Sequence, residues 1–396
     1  MRRSRVLGSI RPTSDSHVAT PFELFFDLVY VFAVTQVTGY MAHDHSGSGV
    51  LQGLLLLAML WGTWSAYTWL GNQARADEGL LRLAMVVAMV AIFTVALTMP
   101  EAWHDAPGGL DGPIVFVCAY VLVRAVHLAV YIPAAAGDAA LRHQVGITWL
   151  PMLAGAGLLV TGTLLGGWLQ TLLFAIALAV DWGGIYLTSR RCSWRLHSVG
   201  HLTERHGLFI ILAIGESVVA IGVGAAEQPI SGPLLAASSF GVAIAVCLWW
   251  LYFDLVSLAA ENRLLEEQGQ ARVRLAFEAY TYGHFPIVAG VVVAALGVEG
   301  VVAHAGDGEG LGGYYAVALF GGAAVYLGGH LAFNYCLHGR LNRARLVTLP
   351  LLVLAMPIGA LLPPLAALLG LVLVLGGLVG FETVRYADVR SRLRSP

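Results

Sequence analysis

The sequence predicts an all-α, polytopic membrane helical bundle of about 12 transmembrane helices, built as two parallel six-helix repeats. Three observations lead there. Hydrophobic residues make up 58% of the 396 and charged residues only 12%, whereas a soluble domain is about half apolar and about a quarter charged. Apolar runs long enough to cross a hydrocarbon core about 30 Å thick recur along nearly the whole chain and do not alternate with period two, as a barrel would require. The basic residues, all 22 of them arginine, fall on alternate sides of those runs.

The spans begin near Phe22, Val50, Leu81, Pro113, Val145, Gln170, Gly207, Leu234, Arg274, Gly312, Arg345 and Leu365. Before the first, residues 1–21 have a basic start but no apolar h-region, and read as a cytoplasmic tail, not a cleaved signal peptide. Arginines collect on the cytoplasmic side of a membrane. With the N-terminus inside, Arg75, Arg82, Arg142, Arg190, Arg191, Arg195, Arg205, Arg263, Arg272, Arg274, Arg340, Arg343 and Arg345 all fall in or beside cytoplasmic segments. The loops HDHSGS, EAWHDAPGGLDG, AAEQPISG and VEGVVAHAGDGEG contain acids and histidines but no arginine. A wrong helix count would invert this pattern partway along.

The first repeat runs over 22–188, a cytoplasmic connector over 189–206, the second repeat over 207–385, and a cytoplasmic C-terminal tail over 386–396. LRLAMVVAMVAIF, from Leu81, aligns with VRLAFEAYTYGHF, from Val273, at one constant offset. The runs before them, from Trp61 and Trp249, also correspond. Six is an even number, so both halves enter the membrane from the same side, as parallel repeats do.

Net charge is −2, which gives no reason to propose nucleic acid as a partner. Cys118, Cys192, Cys247 and Cys336 have no paired spacing, so neither a disulfide framework nor a CxxC metal site is indicated. There is no GxSxG elbow, P-loop or dinucleotide fingerprint. No cofactor is expected, and enzymatic activity has little foothold.

Polar groups inside the spans carry the functional reading, since an ionised group there is expensive. Glu23 and Asp27 lie one above the other on the first span, with Tyr30, Val34 and Thr38 continuing that face. Glu23 is shallow enough to snorkel or cap, and Asp27 is expected to face the interior. Glu216 is expected about nine residues into the seventh span, among the small residues Gly215, Ser217, Ala220 and Gly222. Tyr120, Arg124, His127 and Tyr131 make one polar face of the fourth span, with Arg124 the natural counter-ion of Asp27 or Glu216.

Tyr326, His330 and Asn334 are the matching face of the tenth span. Asp181, Asp254, Glu278 and His284 add further intramembrane groups, and Pro286 could break the helix after His284, as in the discontinuous helices of transporters. His197, His201 and Glu204 share a helical face if the connector is helical, but HLTERH is not an HExxH motif. A polar turn capping the seventh span is the stronger reading of that segment.

The opening stretch TPFELFFDLVYVFAVTQVT, GHLTERHGLFIILAIGESVVAIG from Gly200, and the WWLYFD and YGHFPIVAGVV segments resemble the bacterial low temperature requirement protein A family over nearly the whole chain. That resemblance implies a multipass inner-membrane protein and no particular chemistry. FFDLVYVFAVT, from Phe25, also resembles the first-helix signature FSDxVFAIAIT of the endolysosomal potassium channel family, whose animal members carry two six-helix repeats. Phe26 replaces the serine of that signature, Pro21 stands where it has arginine, and RHGLFII, from Arg205, lacks the aspartate.

These features lead to a transporter or channel for a small cation or proton, in the bacterial inner membrane, with lipid as its surroundings and oligomeric state open. An intramembrane lipid-handling enzyme, and a structural or regulatory component in cold adaptation, are the alternatives.

Overall fold

The computed structural model describes residues 18–189, 194–226 and 228–394. Arg190, Arg191, Cys192, Glu227 and the tail arginines Arg2, Arg3, Arg5 and Arg11 lie outside them. Helices α1 (Pro21–His43), α2 (Gly47–Gln73), α3 (Gly79–Thr98), α4 (Gly112–Ala134), α5 (Ala139–Leu165) and α6 (Gly167–Ser189) come first. Then follow α7 (Val199–Ala225), α8 (Gly232–Phe253) and its short continuation α9 (Val256–Glu266).

The ninth span is composite: α10 (Gly269–Ala276), a π-helical turn over Phe277–Tyr282, and α11 (His284–Ala303). So is the tenth, with α12 (Gly313–Ala316), a π turn over Val317–Gly321, and α13 (Gly322–His338). Helices α14 (Arg343–Leu361) and α15 (Pro364–Arg385) complete the spans, and α16 (Ala387–Arg394) follows. Among the described residues, 12 helical stretches are long and apolar enough to cross a membrane.

Helix starts are set by side-chain caps. Asp111, Asp138, Ser231 and Asn342 each accept a hydrogen bond from a backbone N–H in the first turn of α4, α5, α8 and α14, which meets one of the four donors that a helix start leaves free. Two caps explain the largest departures from the expected starts. Asp138 opens α5 at Ala139, earlier than Val145. Ser198 Oγ accepts from His201 N at 3.1 Å, so α7 begins at Val199 and the last part of the expected connector, 199–206, is helix.

The chain forms two compact units. The first comprises Met1–Tyr40, Ser48–Arg205 and Gln268–Arg274. Its core is aromatic, with Phe26, Tyr30, Trp61, Trp64 and Tyr67 all buried. The second comprises Met41–Gly47, His206–Glu267 and Leu275–Pro396. There the ninth and tenth spans pack so closely that a Cβ on Gly290, Gly297, Gly322 or Gly329 would overlap backbone atoms of the facing span. Small residues permit that approach, which replaces the hydrophobic drive missing between helices in lipid. Large apolar side chains such as Leu150, Leu153, Leu164, Leu354 and Leu373 are exposed, which suits surfaces that lipid covers.

Candidate functional site

A polar network in the first unit gathers the starts of α1 and α7 and the end of α2. Thr20 and Glu23 form a reciprocal capping box: Glu23 N donates to Thr20 Oγ1, and Thr20 N donates to Glu23 Oε2. That satisfies two free donors of α1. The other carboxylate oxygen, Oε1, lies 2.8 Å from His201 Nε2, with both side chains at most 1% exposed. Asn72 of α2 completes the arrangement. Its Nδ2 donates to Ser198 O, and its Oδ1 accepts from His197 N.

One turn deeper, Arg205 Nη2 donates to Asp27 Oδ1 at 2.9 Å, and Trp64 Nε1 donates to the same oxygen at 2.8 Å. Arg205 Nη1 also stands 2.9 Å from Asp27 Oδ2, without the alignment of a second hydrogen bond. The guanidinium lies over the Trp64 ring, 5.7 Å from its centroid. Arg205 therefore belongs inside α7 and not in a cytoplasmic loop, because the Ser198 cap starts the helix two turns early. It is the counter-ion of Asp27, in place of Arg124.

Arg124 pairs instead with Asp181 of α6, Nη2 donating to Oδ1 at 2.8 Å. The pairing follows from helix proximity: α4 packs on α5 and α5 on α6, and the absence of a side chain at Gly155 brings the α5 backbone against Ala177 and Asp181 of α6. The expected polar face of α4 is fully interior, with Tyr120, Arg124, His127 and Tyr131 all buried. His127 Nε2 donates to Ala66 O at 3.0 Å, a tie from α4 to α2.

In the second unit Glu216 is 2% exposed. Because α7 starts at Val199, Glu216 stands seventeen residues into the helix, not nine, and nine residues before Ala225. Glu299 of α11, read from sequence as part of a loop, is helical and lies within electrostatic reach of Glu216. Gly224 lets α7 meet α11 there, since a Cβ on it would stand 2.6 Å from Glu299 O. Tyr314 and Tyr315 in turn feel the Glu299 charge. The Tyr315 hydroxyl is 2.6 Å from His45 Nε2, and Tyr314 Oη donates to Met41 O. The Tyr315 ring packs against Gly300, next to Glu299, and its hydroxyl reaches the exposed His45.

The other expected groups separate. His284 lies in a buried aromatic cluster: its Nδ1 donates to Ala279 O at 3.2 Å, so its neutral Nε2 accepts from Tyr252 Oη at 2.8 Å. Tyr280 stacks on its ring, and His206 meets it edge-on. His330 is buried beside Tyr326 and Tyr252. Asn334, by contrast, donates to Arg340 O and is half-exposed, off the buried face. Asp254 follows the last residue of α8, before the continuation α9, and pairs with Arg390 at 2.6 Å. Glu278 is half-exposed in the first π turn.

Arg345, expected at a cytoplasmic boundary, is buried, paired with Glu382 at 2.7 Å, and donates to Leu251 O. His197, His201 and Glu204 have separate partners: Gln73, Glu23 and the backbone N–H of Ala19. Among the described residues no cluster of three His, Cys, Asp or Glu side chains could hold a metal.

Comparison with known proteins adds relatives. A profile of the family described as Bacterial low temperature requirement A protein (LtrA) matches residues 18–380. The chain is 29% identical over 331 residues to an uncharacterized protein of Rhizobium meliloti (strain 1021), which covers 81% of this chain and 78% of that protein. No solved structure matches it.

Proposed function

We propose that this chain, which belongs to the bacterial low temperature requirement A family, moves a small cation or proton across the bacterial inner membrane, with Glu216 as the group that binds and releases it. The observation that carries this reading is the burial of the Glu216 carboxylate, 2% exposed, well inside α7, which meets the Glu299 turn of α11 at Gly224. A carboxylate buried in a weakly polarisable interior is protonated or stands with a cation. Asp27, Glu23, Asp181 and Glu382 face Arg205, His201, Arg124 and Arg345. Those pairs tie one helix to another.

Tyr314, Tyr315 and His45 supply steps from Glu299 to the Ala303 end of α11, which the arginine distribution assigns to the outside. Histidine and paired carboxylates suit transfer near neutral pH. Purified protein in liposomes is expected to dissipate an imposed proton, sodium or potassium gradient. Glu216→Gln should cut the flux at least tenfold while the protein stays monodisperse, and Asp254→Asn, at a helix end, should leave the flux intact. A folded protein that moves none of the three under either gradient direction would sink this reading and favour a structural or lipid-handling role.

A further inference from the structure

Helices α4, α5 and α6 of the first unit enclose a recess whose floor is the Arg124–Asp181 pair. Its walls are apolar, formed by Val121 of α4, Met152 and Ala156 of α5, and Leu178 of α6, and the space they close off is about 20 Å³. That is room for one water-sized group, such as a carbonyl oxygen, with the rest of the molecule outside the closed part of the recess. The mouth lies on a surface for lipid: Leu122, Leu153, Val160 and Ile176 on the same three helices are exposed. Arg124 is twelve residues from Gly112 and ten from Ala134, so the floor is at mid-membrane depth.

The polar groups at the floor have unused capacity. A guanidinium offers five N–H donors, yet Arg124 donates only through Nη2, to Asp181, and its Nε has no partner among the described residues. The Tyr120 hydroxyl lines the same recess and likewise makes no hydrogen bond among the described residues. Arg124 is 4% exposed and Tyr120 7%. A buried donor without an acceptor is costly, and Arg124 Nε, with Tyr120 lining the same apolar recess, defines what would fill it: an oxygen acceptor on an otherwise apolar body.

Charge decides which acceptor. Asp181 already neutralises Arg124, so a bound carboxylate would leave a net negative charge at mid-membrane, where it is strongly disfavoured. A neutral carbonyl meets the donors without that cost. Water could meet them too, but would leave the apolar walls wet. We infer that this recess binds the carbonyl end of a neutral, membrane-soluble molecule, of which a quinone is the type, with Tyr120 and Arg124 donating to the carbonyl oxygen and the apolar tail leaving between the helices toward lipid. The site is separate from Glu216, and its test does not depend on ion movement.

Binding of decylubiquinone to the protein in lipid nanodiscs is to be followed by native mass spectrometry and by the shift in unfolding temperature, with palmitic acid at pH 8 as a competing source of a carboxyl oxygen. One saturable equivalent of decylubiquinone is expected, undisturbed by palmitate. Tyr120→Phe keeps the shape and removes one donor. It should weaken binding about five- to tenfold, the effect of one lost neutral hydrogen bond. Ala156→Phe fills the recess without touching the ion pair and should weaken binding more than tenfold. Leu178→Trp, from the α6 wall, serves in its place if that variant does not fold. Absence of saturable binding, full binding by the recess-filling variant, or displacement of the quinone by palmitate would each overturn the assignment.

Discussion

Arg205 and Asp27 lie 178 positions apart in the chain and meet at 2.9 Å, each 1% exposed. The contact ties α7 to α1 through a charge pair that neither helix could keep alone, since a solitary ion at that depth would be neutralised or expelled. Trp64 adds a hydrogen bond and a ring face, so the pair is held on three sides.

Removing one member should therefore cost more than removing both. Arg205→Ala leaves the Asp27 carboxylate buried with only Trp64, and should destabilise the first unit by about 3–5 kcal/mol. Asp27→Asn added to it removes the orphaned charge and should recover a substantial part. Thermal unfolding of the solubilised protein, followed by tryptophan fluorescence, tests this. A double variant no more stable than Arg205→Ala would refute the coupling.

The glycines between α11 and α13 predict a steep steric dependence. Gly297→Val places atoms inside the Leu319 backbone, which only separation of the helices can relieve, so a loss of about 3 kcal/mol or more is expected. Gly370→Ala in α15, whose added Cβ meets nothing within 4 Å, should be neutral or slightly stabilising. Equal tolerance of the two changes, read as the yield of monodisperse protein, would contradict the packing described.

Outside the spans, Asp138 accepts from Arg195 Nε at 2.7 Å and from Leu141 N. The Arg195 hydrogen bond is the main cause holding its carboxyl below the usual aspartate range. A depressed value contributes stability above the unfolded pKa of about 4, and that contribution disappears as the pH falls through the lower folded value. Both groups are partly exposed, so the effect should stay below about 1 kcal/mol and weaken with salt. Asp138→Asn should lower the unfolding temperature at pH 7 and differ little from wild type near pH 3. A gap that widens on acidification would reverse the sign and count against the assignment.

The arginine distribution predicts sidedness. On a background without native cysteines, a cysteine at Asp105 should react with a membrane-impermeant thiol reagent in intact cells, and one at Glu267 should react only after lysis. The opposite pattern would invert the topology.

Much of this fold was legible in the sequence because hydrocarbon imposes one strong requirement, a long apolar helix, and the arginines between spans give the expected side of each loop. Burial of Asp27, Arg124 and Glu216 was legible for the same reason. Their partners were not. Arg205 sits in HLTERHG, whose composition suits a loop, and only Ser198, an N-cap residue three positions before His201, signals that the helix has already begun. Asp181 was visible as a polar residue, but its match to Arg124 depends on how closely α5 and α6 approach at Gly155. Glu299 looked like loop because it is followed by the polar run of HAGDGEG, although α11 carries it for another turn. Register and proximity between distant helices are tertiary facts, and apolar periodicity does not encode them.

The two π turns bear on how such a chain can change length. A π turn holds one residue more than the α-helical turn it replaces, whereas a residue lost from the regular part of α11 would rotate everything beyond it by about 100° and swing Gly290 and Gly297 away from α13. Loss of one residue within Phe277–Tyr282 would restore regular winding and leave the flanking faces aimed as before, at the expense of the Ala279 carbonyl that now receives His284 Nδ1. These segments are therefore the places where insertion and deletion are tolerated, and any superposition of α3 on the ninth span must open a one-residue gap there, so that Arg82 and Arg274 can correspond while Phe93 and Phe285 slip out of step.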